Sequence, residues 1–301
     1  MNFKSKLPNV RTTIFTIMSS LAKEHNALNL SQGFPDFESD PVLIELVSQA
    51  MKNGHNQYAP MTGVIELREA IALKFKKLYQ SSYCPEKEIV VTVGATQAIF
   101  TIISTFVHTN DEVIIFTPAY DCYQPSVELQ GGKVIPIQLQ YPKNTIDWSL
   151  VENSITSKTK MIIINSPQNP SGSIFSFSDM KRLEKITNNT DIIILSDEVY
   201  GRMVYENNTN VKFFSPSSID HCKVRTIIIH SLSKSYAMTG WRIGAATGPE
   251  EVIEKMALLL ETTSSCVSPF IQNAAAEALS SDQYEIDAMI NSLRIRRDKM
   301  V

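Results

Sequence analysis

Asp191-Ile192-Ile193-Ile194-Leu195-Ser196-Asp197-Glu198-Val199-Tyr200 is the stretch from which the fold can be read. Four consecutive Ile and Leu residues, with no polar alternation and too few positions for a helix, describe a strand buried on both faces. Two acids and a tyrosine follow at once. The same construction recurs outward along the chain. Strands are expected at Ile89–Val93, Glu112–Phe116, Lys133–Gln138, Lys160–Asn165, Asp191–Ser196, Arg225–His230 and Arg242–Thr247. Helical stretches at Ala95–Val107, Tyr120–Leu129, Phe177–Thr187 and Glu250–Thr262 alternate with them. Such alternation implies an α/β fold, with a mostly parallel central sheet and helices on both faces. Ligands in these folds bind beyond the carboxyl ends of the strands, so the residues just after each strand are the ones to weigh.

Before Glu88 the pattern changes. Ile14, Ile17, Met18 and Leu21 stand at helical spacing, Leu43–Lys52 and Val64–Leu78 read as further helices, and Ser31–Asp40 reads as a loop. After Ser268 the pattern is helical to Val301 and shows no cap, Gly or Pro stop signal. The 301 residues are 43% hydrophobic and 20% charged, an ordinary globular composition. With 28 basic and 31 acidic residues the net charge is −3, which gives no electrostatic footprint for nucleic acid or an anionic membrane. No apolar run approaches the roughly 20 residues that span a bilayer. Lys4, Lys6 and Arg11 ahead of Ile14–Leu21 loosely mimic a leader, but Thr16, Ser19 and Ser20 interrupt the run, so an amphipathic helix is expected. Cys84, Cys122, Cys222 and Cys266 are scattered and form no C-x-x-C pair; free thiols in a reducing cytoplasm are expected, with no metal site.

Four segments that follow strands carry chemistry. In Gly94-Ala95-Thr96-Gln97-Ala98, small residues at a helix start let backbone N–H groups approach a phosphate, although a bare strand-to-helix turn would look the same. Asn165–Gly172 is a loop punctuated by Pro167 and Pro170 that presents the Asn169 amide. In Ser196–Tyr200 an acid at the end of a buried strand must be ion-paired or must bind something cationic. In Ser231–Arg242, Lys234 follows another buried strand. Desolvation there would make its amine nucleophilic, unless it snorkels out of the loop. A lysine, a carboxylate and a phosphate cradle together meet the demands of pyridoxal phosphate.

The order of these segments resembles the class I and II pyridoxal-phosphate-dependent aminotransferases of fold type I. Ser31-Gln32-Gly33-Phe34-Pro35-Asp36-Phe37, Gln57–Gly63, Gly94–Ala98, Ala119–Pro125, Asn169–Gly172, Ser196–Tyr200 and Ser231–Arg242 carry the likeness, which is strongest to the bacterial methionine and kynurenine enzymes. The resemblance implies that Lys234 is the Schiff-base lysine and general base, and that Asp197 keeps the ring nitrogen protonated. Tyr200 and Asn169 would bond the phenolate oxygen, and Tyr120 would stack on the ring. Ala95, Thr96, Ser231 and Arg242 would hold the phosphate. Tyr58 would reach the phosphate of a neighbouring subunit, which implies a homodimer with shared sites. Gly33 and Asn169 would meet the substrate carboxylate, and Phe34 would line the side-chain pocket.

The expected reaction moves the amino group of a neutral amino acid (methionine, aromatic or kynurenine) to a 2-oxo acid by a ping-pong route. No arginine stands out for a second, distal carboxylate. The division implied is an N-terminal arm with part of a small domain at 1–40, a large cofactor-binding domain at 41–270, and the start of a C-terminal small domain at 271–301. Family members continue past the last helix, and the arginine that binds the α-carboxylate is expected there rather than at Arg294, Arg296 or Arg297. Rival readings are β-elimination from cysteine conjugates and a truncated remnant that only dimerises or binds the cofactor. No basic helix-turn-helix segment supports a transcription regulator, and no G-x-G-x-x-G follows a strand to support a nicotinamide dehydrogenase.

Overall fold

The computed structural model describes residues 3–8, 10–33, 35–205, 212–282 and 284–300. Among these, seven strands form one sheet: β1 (Ile89–Thr92), β2 (Glu112–Thr117), β3 (Lys133–Gln138), β4 (Thr159–Asn165), β5 (Ile193–Asp197), β6 (Thr226–Ser231) and β7 (Gly244–Thr247). Their order is β1-β7-β6-β5-β4-β2-β3. Strands β3, β2, β4, β5 and β6 run parallel, whereas β7 is antiparallel to both of its neighbours, β6 and β1. The expected mostly parallel sheet is therefore present.

Side-chain alternation assigns the faces. Val113 and Ile115 of β2, with Met161 and Ile163 of β4, enter one core. Ile114, Phe116, Ile162 and Ile164 enter the opposite one. Helices Gly94–Phe106 and Glu250–Thr263 cover the first face through Ala98, Ile99, Ile102, Ile253 and Met256. Helix Phe177–Thr187 covers the second through Met180 and Leu183. Toward β1 and β7, Pro41–Lys52, Ile65–Tyr79 and Pro269–Ser280 pack Leu43, Leu67, Ile71 and Ala275 against Val91, Ile228 and Ala245. Covering both faces explains why these strands are nearly continuous Ile and Val.

Three departures from the sequence reading have local causes. Helix Tyr123–Leu129 excludes Tyr120, because a turn closed by the Tyr123 N–H donating to the Tyr120 carbonyl at 3.2 Å precedes it. β7 starts at Gly244, because Arg242 follows a 3-10 turn in the left-handed region at φ 55°. The segment after Ser268 is two helices, Pro269–Ser280 and Tyr284–Met300. Ser281 ends the first: it is extended, and its hydroxyl and N–H both donate to the Glu277 carbonyl. Helix Ile14–Glu24 forms as its spacing predicts, but Ile14, Ile17, Met18 and Leu21 remain exposed.

Candidate active site

The carboxyl ends of the strands open on a cleft of about 990 Å³. Downstream of β1 come Ala95 and Thr96, and downstream of β2 comes Tyr120. β4 leads to Asn169, β5 ends at Asp197 ahead of Tyr200, and β6 ends at Ser231 ahead of Lys234; all of these line the cleft. Because β7 runs the other way, its beginning rather than its end lies at this edge, and that is where Arg242 stands. Gly33 lines the same cleft from the N-terminal segment, beside Thr16, Ser19 and Lys23 of the first helix. Phe34 lies outside the described residues. Tyr58 does not line this cleft and is 84% exposed.

Asp197 is buried. Its carboxylate accepts from the Tyr123 hydroxyl at 2.6 Å and from the Val199 N–H at 3.2 Å. Burial holds its pKa above the ordinary value, against the pull of those two donors, and no cationic side chain is among the groups acting on it. The structural ion pair that the sequence left open is therefore not made within the described residues. A carboxylate in this position calls for a cation from outside the chain. Sequence reading gave Tyr123 no role. Its signal was a tyrosine in the Ala119–Pro125 segment, whose hydroxyl must find a partner once buried.

Lys234 sits on a one-turn helix, Leu232–Ser235, capped by Ser231. The Ser231 hydroxyl accepts from the Ser233 N–H at 3.1 Å and donates to the Ile243 carbonyl at 2.8 Å, so it is engaged within the chain. Lys234 Nζ donates to the Gly33 carbonyl at 2.8 Å and lies 5.8 Å from the Tyr200 ring centroid. Burial, and then the charge of Arg242, hold its pKa below that of an ordinary lysine. Tyr200 is pushed up to about 12 by burial and then by the Asp197 charge. The Asn165 amide ties the ends of β4 and β5 together: it donates to the Asp197 carbonyl at 2.9 Å and accepts from the Asn169 N–H at 2.7 Å. Thr96 and Tyr120 hydroxyls meet at 3.3 Å.

The start of helix Gly94–Phe106 forms a cradle. Gly94 has φ +76°, and a Cβ there would stand 2.6 Å from Arg242 Nη2; a Cβ on Gly244 would stand 2.9 Å from the Ala95 nitrogen. A side chain at Gly94 would strain its left-handed backbone and push the guanidinium away. Free helix N–H groups beside an arginine are the donor set that a phosphate needs. Cradle, lone carboxylate and desolvated lysine share one cleft, and together they fit pyridoxal phosphate.

The family model for aminotransferase class I and II matches residues 25–301. The chain belongs to this family. It is an aminotransferase that depends on pyridoxal phosphate and acts on an amino acid and a 2-oxo acid. The aminotransferase is 36% identical to the methionine aminotransferase of Escherichia coli (strain K12) over 99% of this chain and 76% of that one. A crystal structure of YbdL from Escherichia coli, reported as having a methionine aminotransferase function, superposes with a TM-score of 0.93 at 36% identity, over 99% of this chain and 77% of that one. The N-succinyldiaminopimelate aminotransferase structure from Mycobacterium tuberculosis gives 0.94 at 34% identity, over 99% and 77%. The aspartate aminotransferase of Pyrococcus abyssi is 39% identical over 86% of this chain and 66% of that one. These relatives are aminotransferases by name, which favours amino-group transfer over β-elimination or a non-catalytic remnant. No helix among the described residues is long and apolar enough to cross a membrane.

Proposed function

We propose that the aminotransferase takes a neutral amino acid as donor, methionine first and then aromatic amino acids or kynurenine, and exchanges its amino group with a 2-oxo acid by a ping-pong route. The observation that carries this reading is the convergence of Lys234, Asp197 and the Gly94–Arg242 cradle on one cleft. Relatives of similar identity are named for methionine, N-succinyldiaminopimelate and aspartate, so the choice of donor rests on the cleft. Its basic lining among the described residues is Lys234, Arg242 and Lys23. The first two serve the cofactor, and Lys23 is an exposed rim lysine, where a single solvated charge adds little. Among the described residues of the cleft, a dicarboxylic donor therefore meets no strong distal partner.

Bound pyridoxal phosphate supplies an electron sink for the charge that develops at the substrate Cα. In this reading Asp197, oriented by Tyr123, holds the proton on the ring nitrogen. Tyr200 and Asn169 donate to the phenolate oxygen, and Tyr120 covers one ring face. The N–H groups of Ala95 and Thr96, the Arg242 guanidinium and the Ser231 hydroxyl would hold the phosphate. Lys234, its pKa lowered by burial, would leave the Gly33 carbonyl and take the proton from the substrate Cα. Gly33 and Asn169 meet the α-carboxylate, and Phe34 walls the side-chain pocket. Tyr58, exposed and outside its own cleft, serves the cleft of a second copy in a homodimer. The division at residues 40 and 270, and a cytoplasmic location in keeping with four free cysteines, belong to the same reading.

The visible spectrum of the purified chain with pyridoxal phosphate tests the core of this proposal. A band that appears with cofactor and bleaches on addition of methionine supports it; colour that ignores every amino acid refutes it. Steady-state rates across donors test the substrate. The expected order places methionine and aromatic amino acids above aspartate, and a strong preference for aspartate overturns the neutral-donor reading.

A further inference from the structure

The ladder between β2 and β4 ends at the Ile115–Ile163 pair. Beyond it the two chains run on to Tyr120 and Asn169, which both line the cleft. Gln168 bridges these two segments. Its side chain is buried, with the residue only 4% exposed, and its Nε2 donates to the Pro118 carbonyl at 2.6 Å. Its Oε1 accepts from the Ser171 N–H at 3.2 Å and from the Ser171 hydroxyl. A carbonyl can only accept and a backbone N–H can only donate, so the amide has a single orientation. The Gln168 backbone closes the loop on itself: its N–H donates to the Ser173 carbonyl and its carbonyl accepts from the Gly172 N–H, both at 2.8 Å. Asn165 ties the same loop to the Asp197 carbonyl on the other side. One buried amide thus holds the loop to the end of β5 and a second holds it to the end of β2. A satisfied buried network of this kind is rigid. Neither Gln168 nor Pro118 lines the cleft.

We propose that Gln168 is a positioning residue for the reaction: its bond to the Pro118 carbonyl sets Tyr120, two residues further on, against the cofactor in register with Asn169, its own chain neighbour. The inference rests on the cofactor reading above and extends it to a side chain that meets neither cofactor nor substrate. Groups that hold a reacting molecule must be fixed to within about 0.5 Å, and a bond between their two loops supplies that constraint. Its test is an equilibrium titration of the cofactor-free chain with pyridoxal phosphate, read together with the circular dichroism of the bound cofactor's visible band. The chains compared are wild type, Gln168→Met, Ser171→Ala, Tyr120→Ala and the Gln168→Met, Tyr120→Ala double variant. Gln168→Met keeps the side-chain length and removes the bridge. It is expected to weaken affinity roughly tenfold, the scale of one buried hydrogen bond, and to diminish the dichroism as the ring loses its fixed setting. Ser171→Ala removes a bond inside the loop, keeps the bridge, and is expected to bind as wild type does. Tyr120→Ala is expected to cost much less in the Gln168→Met background than in wild type, because the bridge acts through Tyr120.

Unchanged affinity and dichroism in Gln168→Met, an equal loss in Ser171→Ala, or additive losses from Gln168→Met and Tyr120→Ala overturn the proposal and leave the cofactor reading standing. A wild-type chain that binds no pyridoxal phosphate overturns both. If Gln168→Met fails to fold, Gln168→Glu decides alone. Its carboxyl group accepts from Ser171 in either protonation state, but donates to the Pro118 carbonyl only when protonated. Its affinity relative to wild type is therefore expected to fall as pH rises, and a ratio that ignores pH refutes the bridge.

Discussion

At the residue scale the site depends on what burial does to single charges. Lys234 keeps a lowered pKa because the cleft desolvates it and Arg242 stands nearby. An amine in that state can both bond covalently and accept a proton. Lys234→Ala is expected to lower transamination by roughly 10³–10⁴-fold, the scale of losing a positioned base, with the far-ultraviolet spectrum unchanged. Substantial residual activity in a folded variant would remove Lys234 from the role. Asp197 shows the complementary case. Its two hydrogen bonds fix its direction, but they bring no positive charge, and so it stays available to a cation.

At the element scale, strand direction decides which residues meet. The reversal of β7 brings Arg242, two residues ahead of its start, to the edge where the parallel strands end. Helix starts are set locally. Ser176 caps helix Phe177–Thr187: its Oγ accepts from the Asp179 N–H at 3.2 Å, and Asp179 accepts in turn from the Ser176 N–H at 2.7 Å. Ser176→Ala is expected to cost about 1 kcal/mol of stability in chemical denaturation, with cofactor binding unaltered. The capped helix lies on the sheet face away from helix Gly94–Phe106, so an equal loss in cofactor affinity would show that the two faces are coupled.

For the whole molecule, buried titratable groups set the response to acid. Burial pushes His230 down to about 3, whereas the unfolded histidine titrates near 6.5. Below 6.5 the unfolded chain binds a proton that the folded chain refuses, so stability falls as pH drops toward 3, by about 1.4 kcal/mol per unit from this residue. Asp197 and Glu198 act with the opposite sign, because their raised values favour the folded state as pH falls. Comparison of His230→Gln with wild type isolates the histidine: the variant is expected to lose less stability between pH 6.5 and 4, and parallel curves would contradict the assignment. Assembly is the other property at this scale. Sedimentation is expected to give a dimer, and Tyr58→Phe is expected to weaken pyridoxal phosphate binding roughly tenfold, the value of one hydrogen bond to a charged group, without dissociating it. A monomer with full cofactor affinity would refute the shared site.

The strands were legible in the sequence because burial on both faces writes itself as runs such as Ile192–Leu195 and Ile227–Ile229. The residues that follow them stood out because polar groups at the ends of such runs need a reason. What the sequence could not contain is which ends converge. Arg242 reaches the helix at Gly94 only because β7 is antiparallel, and Gly33 meets Lys234 across 201 positions of chain. Tyr123 finds Asp197 for the same reason, as Gln168 does the Pro118 carbonyl. Local patterning determines which residues are buried or chemically exceptional; their partners are set by sheet order and strand direction, which arise from long-range packing and leave no mark at any single position.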